Sequence, residues 1–338
     1  MMNVLVTGGG GYIGSVLVRR LVREGYGVRV LDRFFFGEDS LRDVSGDVEI
    51  VRGDVRDVTP EIFRDISAVF DLAALSNDPS GELDPAKTLD INYLGRARIA
   101  RLARHAGVAR YVLASSCSIY GFQTGLLTEE SPVNPLTTYA EANHLAEQAV
   151  LPLSCDSFCV TALRQATVYG LSPRMRFDLA VNGMTLGLWR NGKINVLRDG
   201  SQWRPFVHVE DAARAFLLVL KSSVEAVGGQ VFNVGSDEQN IRILDLAKQV
   251  AAACGREFAM EWYGDPDHRS YTVSFGKIRE HLGYGVEHTF ADGAGEIFTA
   301  LEEGVLDTGE RTKTVVWYKK LLEAKSLVDA VSHRGEIL

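Results

Sequence analysis

Gly8-Gly-Gly-Gly11-Tyr-Ile-Gly14 sets glycines three residues apart, directly after the apolar run Val4-Leu-Val-Thr7 and before a segment with apolar residues at Ile13, Val16, Leu17 and Leu21. That spacing suits a sharp turn from a strand into a helix. The first glycine permits the turn, the middle one lets the backbone approach a diphosphate, and the last lets the helix pack closely. The free N–H groups and partial positive charge of the helix N-terminus complete an anion site. Gly8, Gly11, Tyr12, Ile13 and Gly14 are therefore candidate dinucleotide contacts. Asp32 ends the next apolar run, Val28 to Leu31, eighteen residues beyond Gly14. A carboxylate there accepts hydrogen bonds from both hydroxyls of an adenosine ribose and repels a 2′-phosphate, which favours NAD over NADP. The plain alternative is a solvated turn aspartate, and Arg33 beside it is a cation that softens the discrimination.

These residues need a scaffold, and the rhythm of the chain predicts one. Short apolar runs at Val48 to Val51, Ala68 to Leu72, Tyr111 to Leu113 and Val160 to Leu163 read as strands, and Thr88 to His105 and Tyr139 to Leu151 as helices between them. Strands alternating with helices imply crossover connections and a mostly parallel sheet covered on both faces. The fold expected is α/β, a Rossmann-like doubly wound parallel sheet with a smaller C-terminal substrate-binding lobe. Residues 1–170 form the NAD-binding part, to which 206–235 return through a strand at Val231 to Val234. Residues 171–205 and 236–310 make the lobe, with a helix near 176 to 190, and 311–338 a helical tail.

The chain has 338 residues, 46% of them hydrophobic, which supports a large core and excludes a disordered or fibrous protein. A formal net charge of −8 argues against neutralising a nucleic-acid backbone. Cys117, Cys155, Cys159 and Cys254 form no Cys-x-x-Cys pair and accompany no histidine cluster at zinc spacing, so reduced thiols are expected, without a metal. No apolar run reaches membrane-span length and the start lacks a basic leader, so a cytoplasmic protein with no membrane partner is the expectation.

With those residues placed, the chain resembles the extended short-chain dehydrogenase/reductases, in particular nucleotide-sugar epimerases and dehydratases, to about residue 300. Gly53-Asp54-Val55 resembles that family's adenine-contacting segment, Leu72-Ala73-Ala74 its strand-end loop beside the cofactor, and Asn92 its structural asparagine, all of them expected among the cofactor-binding residues. Ala114-Ser115-Ser116-Cys117-Ser-Ile-Tyr-Gly121 is similar to its serine strand. The resemblance implies Ser116 as catalytic hydroxyl, Tyr139 as catalytic tyrosine, Ser115 beside the cofactor, and Cys117 and Thr167 beside the substrate. Gly200 to Asp211 and Asp267-His-Arg269-Ser-Tyr271 look like its diphosphate-holding segments, which makes Arg204 and Arg269 candidates for the substrate's phosphates. Arginine suits this because its planar fork pairs bidentately with phosphate oxygens; structural ion pairs are the alternative reading.

The implied activity is transfer of a hydride between a nucleotide-linked sugar and NAD while a tyrosinate takes the hydroxyl proton. A free tyrosine, with a pKa near ~10, needs help to serve as a base at neutral pH. The family supplies a lysine four residues on; this chain has Asn143. Asparagine can bond a ribose hydroxyl but brings no charge, so Asn143→Lys is expected to accelerate transfer. The dehydratases carry an Asp-Glu pair where this chain has Cys117 and Ser118, which disfavours elimination of water. Epimerisation through a transient keto sugar, C4 being the expected carbon, is the first reading. A 4-ketoreductase or dehydratase is the runner-up, and a catalytically weakened NAD-binding sensor the third. The resemblance also implies a homodimer through the helices at 88–105 and 139–152, whose alanines would allow close packing.

Overall fold

The computed structural model describes residues 2–265, 269–333 and 335–336. Seven parallel strands form the main sheet: β1 (Asn3–Thr7), β2 (Gly27–Asp32), β3 (Val48–Arg52), β4 (Ala68–Asp71), β5 (Arg110–Ser116), β6 (Cys159–Gln165) and β7 (Val231–Val234). Their order is β7-β6-β5-β4-β1-β2-β3. The chain therefore winds outward from β1 to β3, crosses back to β4 on the other side of β1, and winds outward again. Val4 pairs with Val28 on one side and Ala68 on the other, and a crevice opens beyond the carboxyl ends of β1 and β4, where a ligand binds in such sheets.

The strands are short and apolar because both faces are covered. Val4, Val6, Val28 and Val30 point to one face, beneath α1 (Tyr12–Arg23) and the helix Val209–Lys221. Leu5, Leu31, Val69 and Leu113 point to the other, beneath α2 (Arg96–His105) and α3 (Thr138–Val150). The helix expected from Thr88 starts at Pro85 and widens into a π turn over Asp90–Gly95 before α2. Asn92 sits wholly buried in that turn. Its Oδ1 accepts the Leu75 N–H at 2.8 Å and its Nδ2 donates to the Leu75 carbonyl at 3.0 Å, tying the turn to the loop after β4.

The alanines expected at a dimer interface are spent inside the molecule. Ala97, Ala100, Ala103, Ala142 and Ala146 are buried, and most of them face the sheet, where small side chains let the helices lie close. They thus give no support to a partner surface.

A separate core brings Val181, Met184 and Leu188 of the helix Ala180–Asn191 against Leu246, Val250, Phe206 and Phe290. That helix begins four residues later than expected, because Arg174 and Arg176 in the preceding loop turn into the crevice. The C-terminal helix, Thr314–Val331, buries only Thr314. Its first turns dock on the loop after β2: Trp317 Nε1 donates to the Phe35 carbonyl at 2.6 Å, and Tyr318 packs on Phe35 and Phe36 with ring centroids 5.8 and 5.3 Å away. No helix among the described residues is long and apolar enough to cross a membrane.

Candidate active site

One cleft runs from Asp32 past the glycine loop to Tyr139 and on to Arg204 and Arg269. At its first end the glycines do what their spacing implied. Gly8 has φ +71°, and a Cβ on Gly14 would lie 2.1 Å from the Gly8 carbonyl oxygen, so helix and turn could not approach with any side chain there. α1 starts at Gly11 with no side-chain cap and no acidic residue in its first turn, which leaves its positive end open to an anion. Asp32 accepts the N–H of Gly10 at 2.9 Å and of Phe34 at 2.7 Å, so its carboxylate is fixed against the loop. Desolvation raises its pKa, against the pull of those N–H groups. Arg33 turns outward, pairs with Asp54 at 2.7 Å and lies over the Phe35 ring, which removes it from the ribose position. Asp54 is held well below the usual carboxylate range, chiefly by its hydrogen bonds with Arg56. Phe34, Phe35, Phe36 and Tyr318 give this end an apolar wall.

Tyr12 lines the cleft, and its hydroxyl donates to the Gly170 carbonyl at 2.6 Å while accepting from Asn182 Nδ2 at 3.0 Å, tying the glycine loop to the lobe. Ile13, Val55, Leu72, Ala73 and Ala74 line the middle. Arg174 lies flat over Phe36, 3.6 Å from the ring centroid, and burial pushes its pKa down to about 10.

The reacting end stands on β5 and α3. Thr137 caps α3 by accepting the Ala140 N–H, and Tyr139 follows in the first turn, facing the end of β5. Tyr139 and Ser116 both border the cleft, with Ser116 near enough to favour ionisation of the tyrosine. Burial raises the tyrosine pKa. Arg96 is the strongest influence pulling it back, with Ser116 and Arg176 acting the same way and Asp78 opposing. Ser115 borders the cleft, but its hydroxyl turns back to Glu147, which is paired with Arg164 at 2.7 Å in the protein interior.

Three expected site residues are elsewhere: Asn92, expected beside the cofactor, is buried and bound to the Leu75 backbone. Cys117 is buried with Sγ on the Arg164 carbonyl at 3.2 Å, facing away from the cleft, because the chain turns over at Cys117–Tyr120; Ser118 borders the cleft instead. Asn143 is buried behind the cleft wall: its Nδ2 donates to the Tyr139 carbonyl at 2.9 Å, and its Oδ1 accepts from Arg96 at 2.8 Å. It cannot reach a ribose while Arg96 stands in front of it. Arg96 is itself a site residue that the sequence reading missed, and the uncharged Asn143 was the signal that a cation had to come from somewhere else.

At the far end Thr167, Gln165, Arg204 and Arg269 border the cleft. Arg204 donates to the Trp203 carbonyl at 2.8 Å and to the Arg269 carbonyl, and its guanidinium stacks over Tyr271. Arg269 pairs with Asp78. Asp267 and His268, from the same expected segment, lie outside the described residues. The side chain of Gln165 is buried with neither amide atom hydrogen-bonded. Metal-ligand residue types converge away from the cleft at His208, Asp211 and His288, but Asp211 already accepts the N–H groups of Glu287 and His288 at 3.0 Å, and His208 faces Glu296 at 2.8 Å.

The glycine turn, the uncapped helix end, the fixed carboxylate and the tyrosine–serine pair fit a dinucleotide with an unmodified adenosine ribose and a reaction at a hydroxyl-bearing carbon. Comparison with known proteins agrees. UDP-glucose 4-epimerase of Lactobacillus helveticus is 32% identical over 314 residues, 86% of this chain and 94% of that protein. UDP-glucuronic acid decarboxylase 1 of Xenopus tropicalis is 26% identical over 95% of this chain and 73% of its own length. The solved structure of MoeE5 in complex with UDP-glucuronic acid and NAD superposes with a TM-score of 0.80 at 28% identity, covering 89% of this chain and 99% of that one. Residues 4–235 match the sequence model of the NAD dependent epimerase/dehydratase family, and with most of the sheet, the glycine loop and the tyrosine helix inside that span the chain belongs to this family of NAD-dependent enzymes.

Proposed function

We propose that the protein is an epimerase of a nucleotide-diphosphate sugar that oxidises one sugar carbon, C4 by preference, to a transient ketone and returns the hydride to the opposite face. The observation that carries this reading is that Tyr139 and Ser116 line one cleft that also holds Asp32 at one end and Arg204 at the other. NAD, when bound, supplies the hydride acceptor and later the donor. Gly8, Gly11 and Gly14 with the end of α1 would hold its diphosphate, and Asp32 its adenosine ribose. Tyr139 takes the proton of the sugar hydroxyl, Ser116 holds the same oxygen, and both return their hydrogen bonds to the ketone as it is reduced. Arg204 and Arg269 would meet the sugar's diphosphate with charge-assisted hydrogen bonds.

The lobe of 171–205 and 236–310 is then the substrate-closing part, and 1–170 with 206–235 the cofactor part. The family contains other reactions. Elimination of water needs an acid and a base, and Cys117 and Ser118 provide neither. A cytoplasmic homodimer completes the proposal, with the outward faces of α2 and α3, rather than their alanines, as the contact.

The test is incubation of the protein with catalytic NAD and a panel of UDP, dTDP, GDP and CDP sugars, with products separated by chromatography. A C4 epimer formed without net NADH supports the reading. Stoichiometric consumption of NADH by a keto sugar makes the protein a ketoreductase, and NAD binding without turnover makes it a sensor.

A further inference from the structure

A cation buried without an anion is costly, so its neighbours should explain it. Arg96 is 2% exposed. Its Nε donates to the Ala73 carbonyl at 3.2 Å and its Nη1 to Asn143 Oδ1 at 2.8 Å, and among the described residues no carboxylate lies within ion-pair distance. The side chain borders the cleft that Tyr139 and Ser116 also border.

Asn143 fixes this arrangement. Its Nδ2 is engaged by the Tyr139 carbonyl at 2.9 Å, so its only acceptor atom turns to the guanidinium, which has donors alone. One asparagine thus joins the tyrosine's own turn of α3 to the arginine that opens α2. The groups packed around the pair are few. Asp78 and Arg176 act on Tyr139 from the loops across the cleft, and Tyr111, which hydrogen-bonds Asp71, lies behind Arg96.

We infer that Arg96 is the charge partner of Tyr139, stabilising the phenolate on the proton-transfer path, and that Asn143 is the positioning residue that holds Arg96 in place. The charge that family members place four residues after the tyrosine here enters from the neighbouring helix. The inference rests on Tyr139 being the base of the proposed reaction, and it changes one expectation. Asn143→Lys alone would set an ammonium against Arg96, and is now expected to slow the reaction.

The experiment uses Arg96→Met, Arg96→Lys, Asn143→Lys and the double variant Arg96→Met/Asn143→Lys, each checked for folding by circular dichroism. In the cofactor-free proteins, tyrosinate absorbance is read within milliseconds of an alkaline pH jump, and the Tyr139→Phe protein supplies the background. Arg96→Met should raise the ionisation pH of Tyr139 by about one unit, the size of shift an adjacent opposite charge produces, while Arg96→Lys and the double variant recover most of it. The basic limb of the pH–rate profile for hydride transfer should move in parallel. A folded Arg96→Met protein with unchanged Tyr139 ionisation overturns the inference, as does failure of the double variant to recover any of the shift. Weakened NAD binding with an unmoved titration would make Arg96 a cofactor anchor, which also overturns it. The titration needs no substrate, so a failure of the proposed epimerase activity is seen separately in the turnover assay.

Discussion

At the residue scale, Asp32 combines two tasks. Its carboxylate orders the glycine loop through the Gly10 and Phe34 N–H groups and presents negative charge where a 2′-phosphate would sit. Asp32→Asn keeps an oxygen for one of those bonds and removes the charge. Preference for NAD over NADP should fall by about tenfold, the equivalent of ~1.4 kcal/mol, in paired fluorescence titrations. An unchanged ratio would place the discrimination elsewhere. Asp54 gives a pH signature. Arg56 and Arg33 depress its pKa in the folded protein, so the unfolded chain binds a proton more readily at low pH. The stability it contributes is complete above the unfolded value of ~3.9 and is lost as pH falls through the lower folded value. Arg56→Ala should flatten the acid limb of stability measured by urea unfolding as pH falls below ~4, where the unfolded carboxylate begins to bind its proton. The glycines and Asp32 were legible in the sequence because backbone sterics and one charge define them. Arg96, Arg174 and Arg176 were not, since nothing in a sequence marks an arginine as buried.

At the element scale, the tyrosine helix is held to the sheet by the Glu147–Arg164 ion pair, whose side chains are 3% and 8% exposed. Ser115 and Tyr120 hydrogen-bond to the same pair, so it fixes α3, β5 and β6 together directly behind the reacting end. Glu147→Gln leaves the guanidinium buried without its anion and should cost about 3–5 kcal/mol, read as a lower urea midpoint at unchanged slope. A loss below ~1 kcal/mol would show that Arg164 is solvated in the native state. The strands and most helices followed from apolar periodicity, and even their ends were close. The π turn at Asp90–Gly95 did not, because its register depends on Asn92 meeting the Leu75 backbone, a contact seventeen residues apart in the chain. Cys117 was misplaced for a similar reason: the turn at Cys117–Tyr120 reverses which side chains face the cleft, and a strand read straight through cannot show that.

At the scale of the whole molecule, the C-terminal tail is more than an appendage. Tyr318 borders the Asp32 end of the cleft, Trp317 is bonded to the Phe35 carbonyl, and burial pushes the Tyr318 pKa up to about 12. Removing the chain beyond Thr314 should weaken NAD binding by about tenfold yet leave the urea midpoint of the cofactor-free protein nearly unchanged, since Trp317 and Tyr318 are only partly buried and no later residue of the helix is fully buried. Equal losses in both would mean that the helix supports the fold as a whole. The tail was legible as a helix from its pattern, but its docking was not, because it rests on the three consecutive phenylalanines after Arg33, nearly three hundred residues earlier. In the proposed reaction one carbon of a bound sugar loses and regains the same hydride inside the cleft. The direct measurement uses the sugar nucleotide that turns over, deuterated at C4, incubated with the native enzyme and with Tyr139→Phe, and analysed by mass spectrometry and NMR. The expected result is an epimer that keeps its deuterium at C4, no net NADH, and almost no product from Tyr139→Phe. Epimer with the label exchanged for solvent hydrogen, or a Tyr139→Phe protein as fast as the native one, would contradict it.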